Sequence, residues 1–133
     1  MHDGPMFNDT FPGQNAPPDN YRVELTAIAM KLKAATAASR WGAKLAFAHT
    51  TPFICTAQQD GCVQTLNHWA DDIMAAAGIP VLPTYEHVIA QCGQAPQASC
   101  FGLKGCWCPH CNDAGYSWLA GTVVAPALRA LLA

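Results

Sequence analysis

The 133-residue chain lacks an excess of charge and a long apolar run, and each of these absences argues against a class of protein. Its net charge of -2 offers no basic surface for nucleic acid. Because no run of 18 or more apolar residues occurs, the sequence predicts no membrane span. The first residues lack the basic and apolar regions of a signal peptide. With 51% hydrophobic residues, the chain is long enough for one domain with a core.

The pattern of apolar residues predicts a single domain over residues 1–133, with a loop at 1–20 and an α/β part at 21–132. We expect helices at 21–39, 63–77, 84–91 and 114–132 and buried strands at 43–50 and 79–82. Gly42 and Gly78 are expected to end the first two helices, and Pro126 to kink the last one. Alternating helices and strands are typical of a parallel sheet, whose ligands bind beyond the carboxyl ends of its strands.

The seven cysteines are dense for a reducing cytosol. Their short spacings suit local disulfides, and the pairing stays open among candidates such as Cys55 with Cys62, Cys92 with Cys100, and Cys111 with either Cys106 or Cys108. Disulfides persist in oxidising compartments, so the cysteine content favours a secreted protein or one in the endomembrane lumen. The odd number leaves one cysteine without a partner inside the chain.

His110 lies in a cysteine-rich turn and has three competing interpretations. It belongs to a zinc site with Cys106, Cys108 and Cys111, to a redox motif running from Cys108 to Cys111, or to a hydrolase as its general base. Adjacent residues such as His110 and Cys111 rarely both bind one ion, so zinc would also require Cys92 or Cys100. A thioredoxin-like fold needs a hairpin and another helix after its motif, and only 22 residues follow Cys111.

The segments around His110 and Pro52 resemble a known family. His110 is followed by Asn112-Asp113-Ala114-Gly115-Tyr116, and the first strand leads into Thr50-Thr51-Pro52. In this order the motifs resemble the C-terminal part of the SGNH (GDSL-like) hydrolase family of esterases and lipases. The resemblance implies an incomplete flavodoxin-like, three-layer α/β fold with parallel strands and flanking helices. It also implies that His110 is the general base.

The same resemblance suggests an oxyanion-hole donor and exposes departures from the family. His2-Asp3 is similar to the end of the family's third motif, which makes His2 a candidate donor; Asn8-Asp9 is an alternative with Met6 where a glycine belongs. The Gly-Asp-Ser motif that carries the nucleophile is absent from the chain. Trp107 stands where the family has an aspartate three residues before the histidine, and an indole cannot accept the imidazole proton.

These features predict a truncated hydrolase-like domain, inactive or impaired by itself, whose substrate would be an acyl ester of a lipid or of a carbohydrate. Neither a cofactor nor a metal is expected, and the partner is a small-molecule ester. The missing half would leave a sheet edge and apolar helix faces exposed, which favours association through that edge. A cysteine-stapled noncatalytic binding or zinc module, and a thiol-disulfide oxidoreductase acting through Cys108 and Cys111, remain as alternatives. His49, His68 and His87 are interpreted as ordinary core or surface residues.

Overall fold

The computed structural model describes residues 18–53, 57–93, 100 and 111–133. Its elements are, in chain order, helix α1 (Pro18–Ala37), strand β1 (Phe47–Ala48), helix α2 (Ala57–Ala77), strand β2 (Val81–Leu82), helix α3 (Thr84–Cys92), helix α4 (Asp113–Leu119), a π-helical segment (Ala120–Val124) and helix α5 (Ala125–Leu132). The described part is thus an α/β structure, rich in helix, with a parallel two-stranded sheet.

Helix α2 ends in a motif that sets the position of β2. Gly78 takes a φ of 66°, a value that favours glycine. Its N–H donates to the carbonyl of Ala75 at 3.1 Å, and the N–H of Ile79 donates to that of Met74 at 2.9 Å. This pair of bonds is a Schellman motif. The ammonium of Lys33 on α1 also donates to the carbonyl of Ala77, which places a cation at the negative end of α2.

The core lies between α1, α2 and the sheet, where apolar side chains from all three meet. Its buried members are Ala29, Ile73, Met74, Ala77 and Ile79, and half-buried Leu25, Leu45, Phe47 and Val81 pack against them. Six of the seven apolar positions predicted along α2 are buried, while Trp69 is half-buried. The helical spacing of these positions is what turns one face of α2 inward.

The strands are shorter than predicted, because a strand extends only as far as a neighbouring strand pairs with it. Strand β1 covers Phe47 and Ala48 instead of residues 43–50, and these align with Val81 and Leu82. The N–H of Phe47 donates to the carbonyl of Pro80 at 2.9 Å, and that of His49 to the carbonyl of Leu82 at 3.0 Å. Both strands run in the same direction, so their carboxyl ends meet at one edge of the sheet.

The last helix deviates from α-helical geometry one turn earlier than the kink predicted at Pro126. Residues Ala120–Val124 are π-helical, and the N–H of Ala125 donates to the carbonyl of Ala120, five residues back. Proline has no N–H and its ring clashes with the carbonyl four residues earlier. The wider π turn lies directly ahead of Pro126, where an α-helix would meet that clash.

Among the described segments, no helix is both long and apolar enough to cross a membrane.

Candidate functional site

A polar cluster lies beyond the carboxyl ends of the two strands, and His49 is at its centre. The ring follows β1 and is buried, with 4% of its side chain exposed. Its Nε2 lies 2.8 Å from Asp71 Oδ1, and its Nδ1 lies 3.0 Å from Glu86 Oε2. A carboxylate lies at each ring nitrogen, so both hydrogen-bonding positions of the imidazole are engaged. His49 is therefore a buried ring held between two acids.

The backbone around His49 is fixed by two further side chains. The side-chain amide of buried Asn67 accepts from the N–H of Thr50 at 2.9 Å and donates to the Thr50 carbonyl at 2.9 Å. The hydroxyl of buried Thr84 donates to the carbonyl of His49. These bonds tie the segment after β1 to α2 on one side and to the first residue of α3 on the other. The buried polar groups satisfy one another, so the cluster is rigid.

Asp60 in the first turn of α2 is the centre of a second group. Its Oδ1 accepts from the N–H of Phe53 at 2.9 Å. Its Oδ2 accepts from the Tyr85 hydroxyl at 2.7 Å and from the side-chain amide of Gln64 at 2.9 Å. Burial and the negative charge of Asp60 together raise the pKa of Tyr85 far above its ordinary value. The neutral phenol is the form that this group stabilises.

We expect Tyr85→Phe to change how stability depends on alkaline pH. The pKa of Tyr85 is raised in the folded chain. The stability that Tyr85 contributes is therefore fully present below pH 10, the ordinary pKa of tyrosine. It falls as the pH rises from 10 toward the folded pKa. Urea unfolding between pH 8 and pH 11.5 should show that wild type loses stability more steeply above pH 10 than the variant. Tyr116→Phe, which removes a half-exposed tyrosine, serves as the control. If the loss of stability per pH unit above pH 10 is the same for wild type and Tyr85→Phe, the raised pKa of Tyr85 is contradicted.

The His49 cluster can hold a ligand or a neighbouring group in position, but it cannot transfer a proton to a substrate. Both ring nitrogens already contact carboxylates, so neither is available to a substrate or a metal. The side chains of Asp71 and Glu86 are 48% and 57% exposed, so these acids are the part of the cluster that solvent or a ligand reaches. Within the described residues, no group of three or more His, Cys, Asp or Glu side chains is placed to hold a metal ion.

The two residues predicted to carry catalysis, His110 and His2, lie outside the described residues, as do Cys106, Trp107 and Cys108. The structure does describe the chain directly after His110. Asn112 caps α4 by accepting from the N–H of Gly115 at 2.9 Å. Gly115 is buried. The prediction that a helix begins directly after the histidine segment is therefore confirmed.

One of the candidate cysteine pairs forms a disulfide. Cys92 at the end of α3 is bonded to Cys100, with their Cα atoms 5.8 Å apart. The Cys55 partner proposed for Cys62 lies outside the described residues. Cys111 precedes the Asn112 cap, so it lies before the first turn of the last helix, and burial raises the pKa of its thiol. A helix N-terminus lowers a thiol pKa only over its first turn.

Sequence reasoning placed a site beyond β1 but interpreted His49 as an ordinary core residue and did not single out its partners. Asp71 lies on α2 four residues after Asn67, and Glu86 lies in the first turn of α3. The available signal was a histidine at the end of one parallel strand together with acids on the two helices that flank its neighbour. That signal is weak, because exposed acids are common on helices.

Comparison with protein-family models, with curated proteins and with solved structures finds no significant match to this chain.

Proposed function

We propose that this chain is the histidine-bearing part of an SGNH-type, flavodoxin-like hydrolase that acts on acyl esters of lipids or carbohydrates. The observation that supports this most is the parallel β1–α2–β2 unit, whose strands end at one polar edge. In α/β folds, that edge is where ligands bind. The start of α4 at Asp113, directly after the histidine segment, adds support.

In this proposal His110 is the general base and His2 donates to the developing oxyanion. A serine hydroxyl is a poor nucleophile until a base accepts its proton, and the oxyanion formed on attack needs a donor. The serine itself would come from a segment outside this sequence. Trp107 cannot orient the imidazole as a carboxylate would, so the chain is expected to be impaired even with a serine supplied. His49 does not replace His110, since both of its nitrogens are engaged.

An ester-hydrolysis assay on two forms of the protein tests the proposal. The 133-residue chain should show no turnover of aryl acetates and aryl butyrates. A form extended by the upstream segment that its gene encodes, if that segment carries Gly-Asp-Ser, should hydrolyse them. Replacing the serine by alanine in the extended form is the matched control and should abolish turnover. An upstream sequence without Gly-Asp-Ser, or turnover that survives loss of the serine, would refute the catalytic role.

The Cys92–Cys100 disulfide favours a second candidate, a cysteine-stapled noncatalytic module. Such a module would bind a partner through a surface that the disulfide holds in shape. With the disulfide reduced, it would instead bind zinc through Cys106, Cys108, one of His110 and Cys111, and one of Cys92 and Cys100. Metal analysis of protein purified under reducing conditions distinguishes the two candidates. One zinc per chain would favour the module, and a chain without zinc that gains esterase activity on extension would favour the hydrolase.

A further inference from the structure

An apolar groove of about 260 Å³ runs between α1 and β1. Its walls include Leu25, Ile28 and Leu32 from α1 and Ala46 and Phe47 at β1, and every lining residue is apolar. Ile28 and Leu32 are 52% and 47% exposed, although they belong to the face of α1 that turns toward the sheet. Large apolar side chains exposed side by side are typical of a surface that binds a protein, a membrane or a ligand.

The groove borders an open edge of the sheet. The N–H groups of Phe47 and His49 point to β2. Amides alternate in direction along a strand, so those of Ala46 and Ala48 point away from β2. The sheet in the described part has only the two strands, so this edge of β1 has no strand beside it there. Ala48 is exposed, and Ala46 lines the groove itself. An occupant of the groove therefore also meets unpaired backbone.

The charges beside the groove indicate how an occupant would lie. Leu25, Ile28 and Leu32 follow one another at helical spacing and form a stripe along α1. Glu24 and Lys31 are seven residues apart, so they lie on the same side of this stripe, one toward each end. Both are exposed. A helix with the same sequence running in the opposite direction would place its Lys31 beside Glu24 and its Glu24 beside Lys31.

We propose that the groove is occupied by a second copy of this chain, with the two α1 stripes packed antiparallel about a twofold axis and the two β1 edges adjacent. A twofold interface must be complementary to itself. This surface meets that requirement, since it offers an apolar stripe with opposite charges at its two ends. A parallel arrangement would instead place the Glu24 and Lys31 side chains of the two copies on opposite sides of the seam, where they could not pair. The proposal does not depend on the proposed function.

Sedimentation equilibrium of the full chain, over micromolar to millimolar concentrations, tests this interface. Wild type should dimerise with rising concentration. Ile28→Glu places a charge in the apolar seam and should weaken dimerisation at least about 30-fold, the loss typical of a central interface residue. Val23→Glu is the matched control, because Val23 is 68% exposed and lies on the other side of α1; it should change the dissociation constant about twofold or less. All these positions are exposed, so circular dichroism should show an unchanged fold.

A charge exchange tests the antiparallel arrangement. Glu24→Lys and Lys31→Glu should each weaken dimerisation about 3- to 10-fold, because each places like charges across the axis. The double variant should return to wild-type affinity, and an equimolar mixture of the single variants should form a heterodimer. A chain that stays monomeric at all concentrations, or a dimer that Ile28→Glu leaves intact, overturns the proposal. The proposal is also overturned if wild type is monomeric and the chain dimerises only after Phe11→Glu. In that case residues 1–17 of the same chain would occupy the groove.

Discussion

Replacing His49 by alanine should lower the free energy of unfolding by about 2–3 kcal/mol. The ring is buried and makes a hydrogen bond at each nitrogen, at 2.8 Å with Asp71 and at 3.0 Å with Glu86. Its loss leaves a cavity and two acids without the ring that lies between them. Asp71 and Glu86 are about half exposed, so water partly solvates them. For that reason we expect a loss at or slightly below the lower end of the range of about 3–5 kcal/mol for a broken buried ion pair.

Urea unfolding at pH 7 with the disulfide intact measures this loss. His68→Ala is the control, because His68 is an exposed histidine on the same helix as Asp71, and it should change stability by less than about 0.5 kcal/mol. His49→Gln retains one donor and should lie between His49→Ala and wild type. Equal stability for the two alanine variants would show that the contacts around His49 do not hold α2 and α3 to β1.

The helices could be predicted because their signals are local. Apolar residues at helical spacing indicated α1, α2, α3 and the last helix, and Gly78 marked the end of α2 through the positive φ that its Schellman motif requires. The strands were predicted too long, since the extent of a strand depends on a partner elsewhere in the chain. The apolar sequence at 43–50 shows that residues can be buried in a sheet, but the pairing with Val81 and Leu82 ends after two residues.

The candidate site was harder to predict, since its members meet only through the fold. His49, Asp71 and Glu86 are separated by 22 and 15 positions and lie on three different elements. The rule that ligands bind beyond the carboxyl ends of parallel strands located the edge. It could not tell that the histidine there would be enclosed by acids. The roles given to His110 and His2 stay predictions, because both residues lie outside the described part of the chain.

His49 also explains why two histidines in one chain need not share a function. An imidazole that accepts a proton during catalysis needs one nitrogen facing the nucleophile and the other oriented by an acceptor. His49 has a carboxylate at both positions, so it lacks the first. His110 has the opposite deficiency in sequence, because Trp107 replaces the expected orienting acid. The orienting acid is thus the feature whose restoration would test the hydrolase proposal most directly.

If the upstream segment supplies the proposed serine, Trp107→Asp in that extended form should raise kcat for ester hydrolysis by as much as about 10⁴-fold, since loss of the orienting aspartate costs about that factor in a protease triad. In a protease triad, removing the histidine costs about 2 × 10⁶-fold in kcat and removing the aspartate about 3 × 10⁴-fold, and the two losses are not additive. Because the unaltered form already lacks the aspartate, His110→Ala should lower its kcat by only about 10²-fold more. In the Trp107→Asp background, the same His110 substitution should cost about 10⁶-fold.

The decisive comparison is between Trp107→Asp and Trp107→Ala, assayed with the same aryl ester at pH 8. Alanine removes the indole without supplying an acceptor, so it should leave kcat close to the unaltered value, while aspartate should raise it. A gain of equal size in both variants would mean that the indole only blocks the substrate, and no gain in either would remove His110 from the role of general base. A gain with aspartate alone, lost again on His110→Ala, requires the two side chains to act as one unit on the serine.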